Sequence, residues 1–273
     1  LDRSERLERS ERSERLERSE RSERTDRLSR WVAELERRHL ADLRLPEVTR
    51  ALRALSSAYV ERRHALARGA ALDSAGKRAA FALFYGPLHY LIVSHVLESL
   101  GSLRIPSAIV DLGCGTGAAG AAWATSLAGP TRVAGIDKHP WAVSEARWTY
   151  RCFGIDGQAR AGDLVSLPSL AGGGGIVAAY VLNELPESSR LRLESRLLRA
   201  GEAGTQVVIV EPLARRITPW WKVLASRALA AGGRADEWRF RADLPELVAR
   251  LDTAAGLDHT ELTARSLTLN LGR

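Results

Sequence analysis

The sequence predicts an α/β protein with a doubly wound, mostly parallel sheet, and three observations carry that prediction. Beyond Pro106, strand-like and helix-like segments alternate, as in chains built from repeated βα units. Several of the strand-like segments are continuous apolar runs, the pattern of parallel strands covered by helices on both faces. The first of them runs into a glycine-rich loop, Gly113-Cys114-Gly115-Thr116-Gly117, with helical sequence directly behind it.

Taken in order, residues 1–30 form a low-complexity charged leader. The unit Leu-Glu-Arg-Ser-Glu-Arg-Ser-Glu-Arg spans Leu7 to Arg15 and repeats from Leu16 to Arg24. Its period of three winds charge around any helix and leaves no apolar face, so a disordered segment or a lone charged helix is expected. Residues 31–105 read as a helical cover: Trp31, Leu35 and His39, then Leu52, Leu55 and Tyr59, recur at spacings of three and four. An apolar run from Phe81 to Leu100 should begin or kink at Pro87, which has no backbone N–H, and end at Gly101. Residues 106–273 hold the sheet. Strands are predicted at Ala108–Leu112, Thr131–Ile136, Gln158–Ala161, Ile176–Leu182 and Thr205–Val210, with helices at Ala118–Leu127, Trp141–Phe153 and Ser188–Ala200. Beyond Glu211 a helix at Pro219–Ala231, a short strand at Glu237–Arg241, a helix at Pro245–Ala255 and a strand at Leu262–Leu271 complete the reading.

Composition excludes several classes. With 273 residues, 45% hydrophobic and 27% charged, the chain suits one or two globular domains. No stretch approaches the roughly 18 uninterrupted apolar residues of a membrane span, and no N-terminal segment reads as a secretory signal, so no membrane partner is expected. Cys114 and Cys152 cannot build a disulfide framework or a four-cysteine zinc site. The six histidines show no metal-ligand spacing. No metal and a reducing, cytoplasmic location are therefore expected. The net charge of +7 invites a nucleic-acid reading, but only three of the 40 basic residues are lysine. Residues 1–30 hold ten Arg against nine Asp or Glu, which leaves +6 on the rest. A weakly basic enzyme and an electrostatic RNA footprint both fit.

The glycine loop is the most informative segment. Glycines let the backbone approach a ligand, and the free N–H groups of the following helix point into the same space. Gly115-Thr116-Gly117-Ala118-Ala119-Gly120 also fits the dinucleotide fingerprint, with Asp137 twenty residues beyond Gly117. Asp111, at the end of the first strand, distinguishes the two cofactor classes: a pyrophosphate would be repelled by it, whereas an ammonium and a sulfonium would be attracted. Asp111 therefore favours S-adenosylmethionine over NAD.

At these residues the chain resembles the class I S-adenosylmethionine-dependent methyltransferases. Val110 to Gly117 matches the first family motif, Gly135-Ile136-Asp137 the second and Ala161-Gly162-Asp163 the third. The resemblance implies a Rossmann-like sheet with an N-terminal helical extension and S-adenosyl-L-methionine as cofactor. It implies that Asp111, Gly113, Cys114, Gly115 and Gly117 bind the cofactor. Asp137 would accept hydrogen bonds from the ribose hydroxyls, the backbone at Lys138 would border the adenine, Asp163 would reach the adenine amino group, and Leu164 would pack beside it. Gly172–Gly175 stands where many members carry an acid before strand four. Asn183 matches the amine-methylating motif that follows that strand, but Glu184 and Leu185 do not, so no amine-methylating tetrad is assigned. Tyr180, Asn183 and Glu184 are the candidates for bordering the methyl group and orienting the acceptor.

A narrower likeness lies in Phe84-Tyr85-Gly86-Pro87-Leu88-His89-Tyr90, Tyr180 to Pro186 and Val210-Glu211-Pro212, which are similar to the mitochondrial small-ribosomal-subunit assembly family of methyltransferase-like proteins. It implies an rRNA or ribosomal-subunit partner, either as methyl acceptor or for a non-catalytic assembly factor that keeps the fold. That family's iron–sulfur cysteines have no counterpart, since no cysteine follows Cys152.

Among single residues, Cys114 reads as a packing residue or as a thiol activated at a helix N-terminus, and Cys152 as core. His89 lies on the segment expected to cover the cofactor. Trp220 and Trp221, after Arg215 and Arg216, read as helix packing or as a lid stacking on a flat substrate.

Overall fold

The computed structural model describes residues 22–61, 72–101, 104–164, 173–214 and 218–271, with the backbone alone for 58–61. Expectations for residues 1–21, and for Arg215 and Arg216, lie outside the described residues.

The first helix, α1 (22–39), begins inside the predicted leader. Leu28, Trp31, Val32 and Leu35 are all buried, a stripe at i, i+3, i+4 and i+7 that gives the helix one apolar face. The leader's last turns are thus ordered by packing, correcting the expectation of a disordered or lone segment for 22–30. Arg38 and His39 end α1 on the buried carboxylate of Glu145, at 3.2 and 2.8 Å. Helix α2 (Leu45–Glu61) opens with the Glu47 carboxylate accepting the Arg44 N–H at 2.8 Å, which satisfies a donor the helix itself cannot. It buries Val48, Leu52 and Leu55.

Helix α3 runs unbroken from Ala75 to Ser99. Pro87 neither starts it nor stops it. A π turn over Phe81–Tyr85 precedes the proline, with the Gly86 N–H donating to the Phe81 carbonyl, so the ladder shifts register where proline would have broken it. By length and composition α3 could cross a membrane, yet 72% of its most apolar window is buried inside the molecule. It serves as a core helix.

The sheet has seven strands: β1 (Ala108–Leu112), β2 (Arg132–Asp137), β3 (Gly157–Ala161), β4 (Gly175–Ala179), β5 (Gln206–Glu211), β6 (Arg234–Phe240) and β7 (Leu262–Leu269). Their order is β3-β2-β1-β4-β5-β7-β6. The first five pair in parallel, and β7 is antiparallel to both of its neighbours. Between the strands lie α4 (Ala118–Thr125), α5 (Pro140–Cys152), α6 (Glu187–Glu202), α7 (Trp221–Ala230) and α8 (Glu246–Ala255). This is the doubly wound, Rossmann-like, mostly parallel architecture of class I methyltransferase type, with helices added at the N-terminus.

One apolar cluster joins Trp31, Leu52, Phe84, Val93, Trp123, Tyr150 and Val177, so the N-terminal helices cover one face of the sheet. The other face is closed by Leu193, Leu197, Trp221 and Leu224 against Ile176, Val207 and Ile209.

Most strand boundaries shift by one or two residues from expectation, and two shift by three. β4 stops at Ala179 rather than Leu182, because Tyr180 turns to φ 59° and a 3-10 turn follows over Leu182–Glu184. The Glu211 carboxylate accepts the Leu182 N–H at 2.8 Å, removing a donor that a longer strand would have used. β6 starts at Arg234, pairing with β7 along its whole length. Cys152 also departs from the reading: it is exposed on the last turn of α5.

Candidate functional site

Register places the ends of the parallel strands side by side, with Leu112 opposite Ile136 and Ala178, and Asp137 opposite Ala161. The strand order reverses direction between β1 and β4, and at such a switch point the diverging loops leave a crevice. A cavity of about 590 Å³ opens there, within the roughly 300–1,000 Å³ typical of small-molecule and cofactor sites.

The glycine loop forms its floor. The Gly113 and Cys114 N–H groups both donate to the Ile136 carbonyl, at 2.8 and 3.1 Å, which ties the loop to β2. Gly113 sits at φ 64°, and a Cβ there would lie 2.5 Å from Val181 Cγ2; the left-handed backbone and the close approach both demand glycine. The next wall is Asp137. Its Oδ2 accepts the Gly115 N–H at 3.0 Å and its Oδ1 the His139 N–H at 2.8 Å. Two backbone donors thus fix a carboxylate on the cavity surface, where each oxygen has a further lone pair for a ligand hydroxyl.

Of the residues expected at the site, Gly113, Cys114, Gly115, Asp137 and Lys138 line this cavity, as do Asp163 and Leu164 after β3 and Tyr180, Asn183 and Glu184 after β4. Asp111 and Gly117 do not. Asp111 is 1% exposed, and its Oδ2 accepts the Gly120 N–H at 2.9 Å and the Tyr150 hydroxyl at 3.1 Å. Burial pushes its pKa up to about 7. Its side chain points beneath α4, so direct attraction of a sulfonium or ammonium is corrected to a clamp under the loop. Gly117, at φ 80°, starts α4 and faces α5; a Cβ there would come within 2.9 Å of the Tyr150 ring and 3.0 Å of the Ala146 Cα. Its contribution is close packing rather than contact with a ligand.

Cys114 is buried, and burial, with Asp111 and Asp137 nearby, raises its thiol pKa well above the ordinary value. Burial and that direction favour the packing reading over an activated thiolate. The lid reading of Trp220 and Trp221 also fails. Arg190 lies over Trp220 at 4.8 Å and Arg265 over Trp221 at 4.6 Å, and neither tryptophan lines the cavity.

The remaining wall comes from α3. Phe81, Tyr85 and His89 follow one another at i, i+4 and i+8 through the π turn, all facing the cavity. The His89 ring stacks on Tyr180 with centroids 4.1 Å apart and planes 13° from parallel. Burial pushes its pKa down to about 3, so it is neutral. Phe81 and Tyr85 were not anticipated as site residues. Their signal was there to find, an aromatic stripe at helical spacing ending on His89.

Glu211 stands behind the cavity wall and holds the loop after β4. It is 0% exposed at the end of β5; Oε1 accepts the N–H groups of Leu182 and Asn183, while Oε2 has no partner among the described residues. Burial pushes its pKa up to about 8. Among the described residues, no group of three His, Cys, Asp or Glu could hold a metal.

No family model and no curated protein matches the chain. Solved structures do resemble it. An S-adenosylmethionine-dependent methyltransferase from Aquifex aeolicus is 16% identical with a TM-score of 0.45, over 67% of this chain and 90% of that one. The N-methyltransferase NodS from Bradyrhizobium japonicum WM9, solved with S-adenosyl-L-homocysteine, is 15% identical with a TM-score of 0.45, over 66% and 85%. The cyclase SpnF is 17% identical with a TM-score of 0.44, over 66% and 81%.

Proposed function

We propose that this protein is an S-adenosyl-L-methionine-dependent methyltransferase. The observation that carries the reading is the alignment of the β1 glycine loop, the Asp137 carboxylate and the Asp163-Leu164 pair along one cavity, at three neighbouring strand ends. The donor set fits the cofactor. Asp137 offers lone pairs to a ribose diol, Leu164 an apolar face to adenine, and Asp163 an acceptor for its amino group. Sheet topology supports the same choice. The dinucleotide-binding order is 3-2-1-4-5-6, whereas here an antiparallel β7 is inserted between β5 and β6.

When bound, the cofactor supplies a methyl group already activated by its sulfonium. The chain's task is to align an acceptor for in-line displacement and to exclude water. Asn183 and Glu184, which line the cavity past the end of β4, are the candidates to orient the acceptor. A base enters only if the acceptor must lose a proton before attack.

The sequence likeness and the net charge of +7 motivate an acceptor in ribosomal RNA, and the two free cysteines motivate a cytoplasmic setting. Incubation with methyl-labelled cofactor and cell extract, followed by separation of RNA, protein and small molecules, tests both activity and acceptor. Label concentrated in RNA is the expected result. No label in any fraction, from protein that binds S-adenosyl-L-homocysteine, would favour a non-catalytic assembly factor.

A further inference from the structure

Glu211 is a buried acid without a bonded cation, set directly behind the cavity. It ends β5, and the next residue, Pro212, lines the cavity. Its Oε1 accepts the Leu182 and Asn183 N–H groups at 2.8 and 3.4 Å. The carboxyl therefore lies under the loop whose Val181, Asn183 and Glu184 form the cavity wall after β4. Oε2 is sealed from solvent and has no partner among the described residues. The groups around it leave its charge unanswered. Glu184, on that loop, repels a second negative charge, and Tyr180 stays a neutral phenol. Arg265, opposite Glu211 on β7, donates its Nε–H to the Pro212 carbonyl at 3.0 Å and lies over the Trp221 ring. Asp111, the acid that the sequence offered to a sulfonium, is turned under α4 onto Gly120.

Resting on the methyltransferase reading, we infer that Glu211 is the counter-charge of the cofactor's sulfonium, a neutral acid that releases its proton to solvent as the sulfonium enters the cavity. An unpaired buried charge is costly, and a nearby cation removes that cost by favouring the ionised acid. No contact is required, because a field crossing a dry protein wall is screened far less than one crossing water. Burial holds the Glu211 pKa at about 8, so the proton is there to be released at pH 7. When the methyl group leaves, sulfur keeps the bonding pair and its positive charge is gone. Glu211 then takes a proton back from solvent, and the attraction that held the methyl donor no longer holds the product.

Isothermal titration of the full chain with S-adenosyl-L-methionine, and separately with S-adenosyl-L-homocysteine, in two buffers of different ionisation enthalpy gives affinities and protons released. Glu211→Gln is the reference, since the ligands' own ammonium groups titrate alike against both proteins. A cation that lowers the acid's pKa by one unit binds about tenfold more tightly once the acid is ionised. Between pH 6 and pH 9 the preference for the methyl donor over S-adenosyl-L-homocysteine should therefore rise about tenfold more in wild type than in Glu211→Gln. At pH 7 the wild type should release about 0.4 of a proton more than the variant with the methyl donor, and no more than the variant with S-adenosyl-L-homocysteine. Identical pH profiles for the two proteins overturn the inference, as does a difference abolished by Glu184→Gln instead. If Glu211→Gln does not fold, infrared difference spectra of Asp111→Asn, which lacks the other raised carboxyl, replace it. There the methyl donor must bleach a protonated-carboxyl band that S-adenosyl-L-homocysteine leaves intact, and an unchanged band overturns the inference. Failure of S-adenosyl-L-homocysteine to bind at all strikes the cofactor reading, whereas binding without these differences strikes this inference alone.

Discussion

His89 and Tyr180 lie face to face, 4.1 Å between ring centroids, although one comes from the middle of α3 and the other from the residue that follows β4. The contact closes the N-terminal helices over the mouth of the sheet. It exists because Tyr180 adopts φ 59°, a left-handed conformation that turns its ring out of the strand and toward α3. Left-handed backbone at a non-glycine residue stores strain and is common where function needs a side chain in one place.

That strain makes residue choice at position 180 predictable. Tyr180→Val places a β-branched residue at the same φ and should lower stability by about 1–3 kcal/mol. Tyr180→Phe keeps the ring and removes a buried hydroxyl that has no partner among the described residues, so it should be neutral or stabilising by up to about 1 kcal/mol. Urea unfolding midpoints check both. A large loss in Tyr180→Phe would mean that the hydroxyl is bonded.

The neutral His89 gives a pH dependence of known sign. Its folded pKa is about 3 against an ordinary 6.5, so below pH 6.5 the unfolded chain takes up a proton that the folded protein refuses. Stability from this group is full above 6.5 and falls as pH drops toward 3. His89→Phe retains a stacking ring and removes the titration, so wild type should lose ground to the variant between pH 7 and 4. Unfolding midpoints that keep a constant difference across that range would contradict it.

Glu211 acts in the opposite sense. Its folded pKa of about 8 exceeds the ordinary 4.5, so the folded state holds a proton that the unfolded state has lost, and stability declines as pH rises from 4.5 to 8. Glu211→Gln keeps an oxygen for the Leu182 and Asn183 N–H groups without the ionisation. Relative to wild type it should gain stability steadily over that window. A variant that is weaker by the same amount at pH 5 and pH 9 would show that the carboxylate is ionised throughout.

Gly113 reports on the loop. Gly113→Ala should cost about 1–3 kcal/mol, from a left-handed φ and from overlap with Val181. Adding Val181→Ala removes the methyl 2.5 Å away and should restore part of the loss, leaving the backbone penalty. Thermal melts of the single and double variants separate the two contributions.

The strand ends were legible because glycine and aspartate stand out against apolar strands: Gly113, Asp137 and Asp163 all reach the cavity. Direction was not legible. Asp111 sits in the same kind of position, yet the pleat turns its side chain under Gly120, and sequence alone does not say which face of a fully covered strand meets the ligand. Pro87 misled for a related reason. A proline within an apolar run normally breaks a helix, but the π turn at Phe81–Tyr85 absorbs it and sets the aromatic wall. The buried role of Glu211 depends on the chain returning from β4 to meet β5, a non-local contact with no local signature. Five of the nine residues 22–30 are charged, and the buried Leu28 reveals that α1 has already begun.

Isothermal titration with S-adenosyl-L-homocysteine, with NADH as the comparison ligand, measures most directly whether the Asp137 edge is a sulfonium-nucleoside site. Wild-type protein should bind S-adenosyl-L-homocysteine and not NADH. Asp137→Ala should bind at least about tenfold more weakly, since a carboxylate's hydrogen bonds to two hydroxyls are lost. Equal affinity of the two proteins, or binding of NADH in preference, would contradict the assignment.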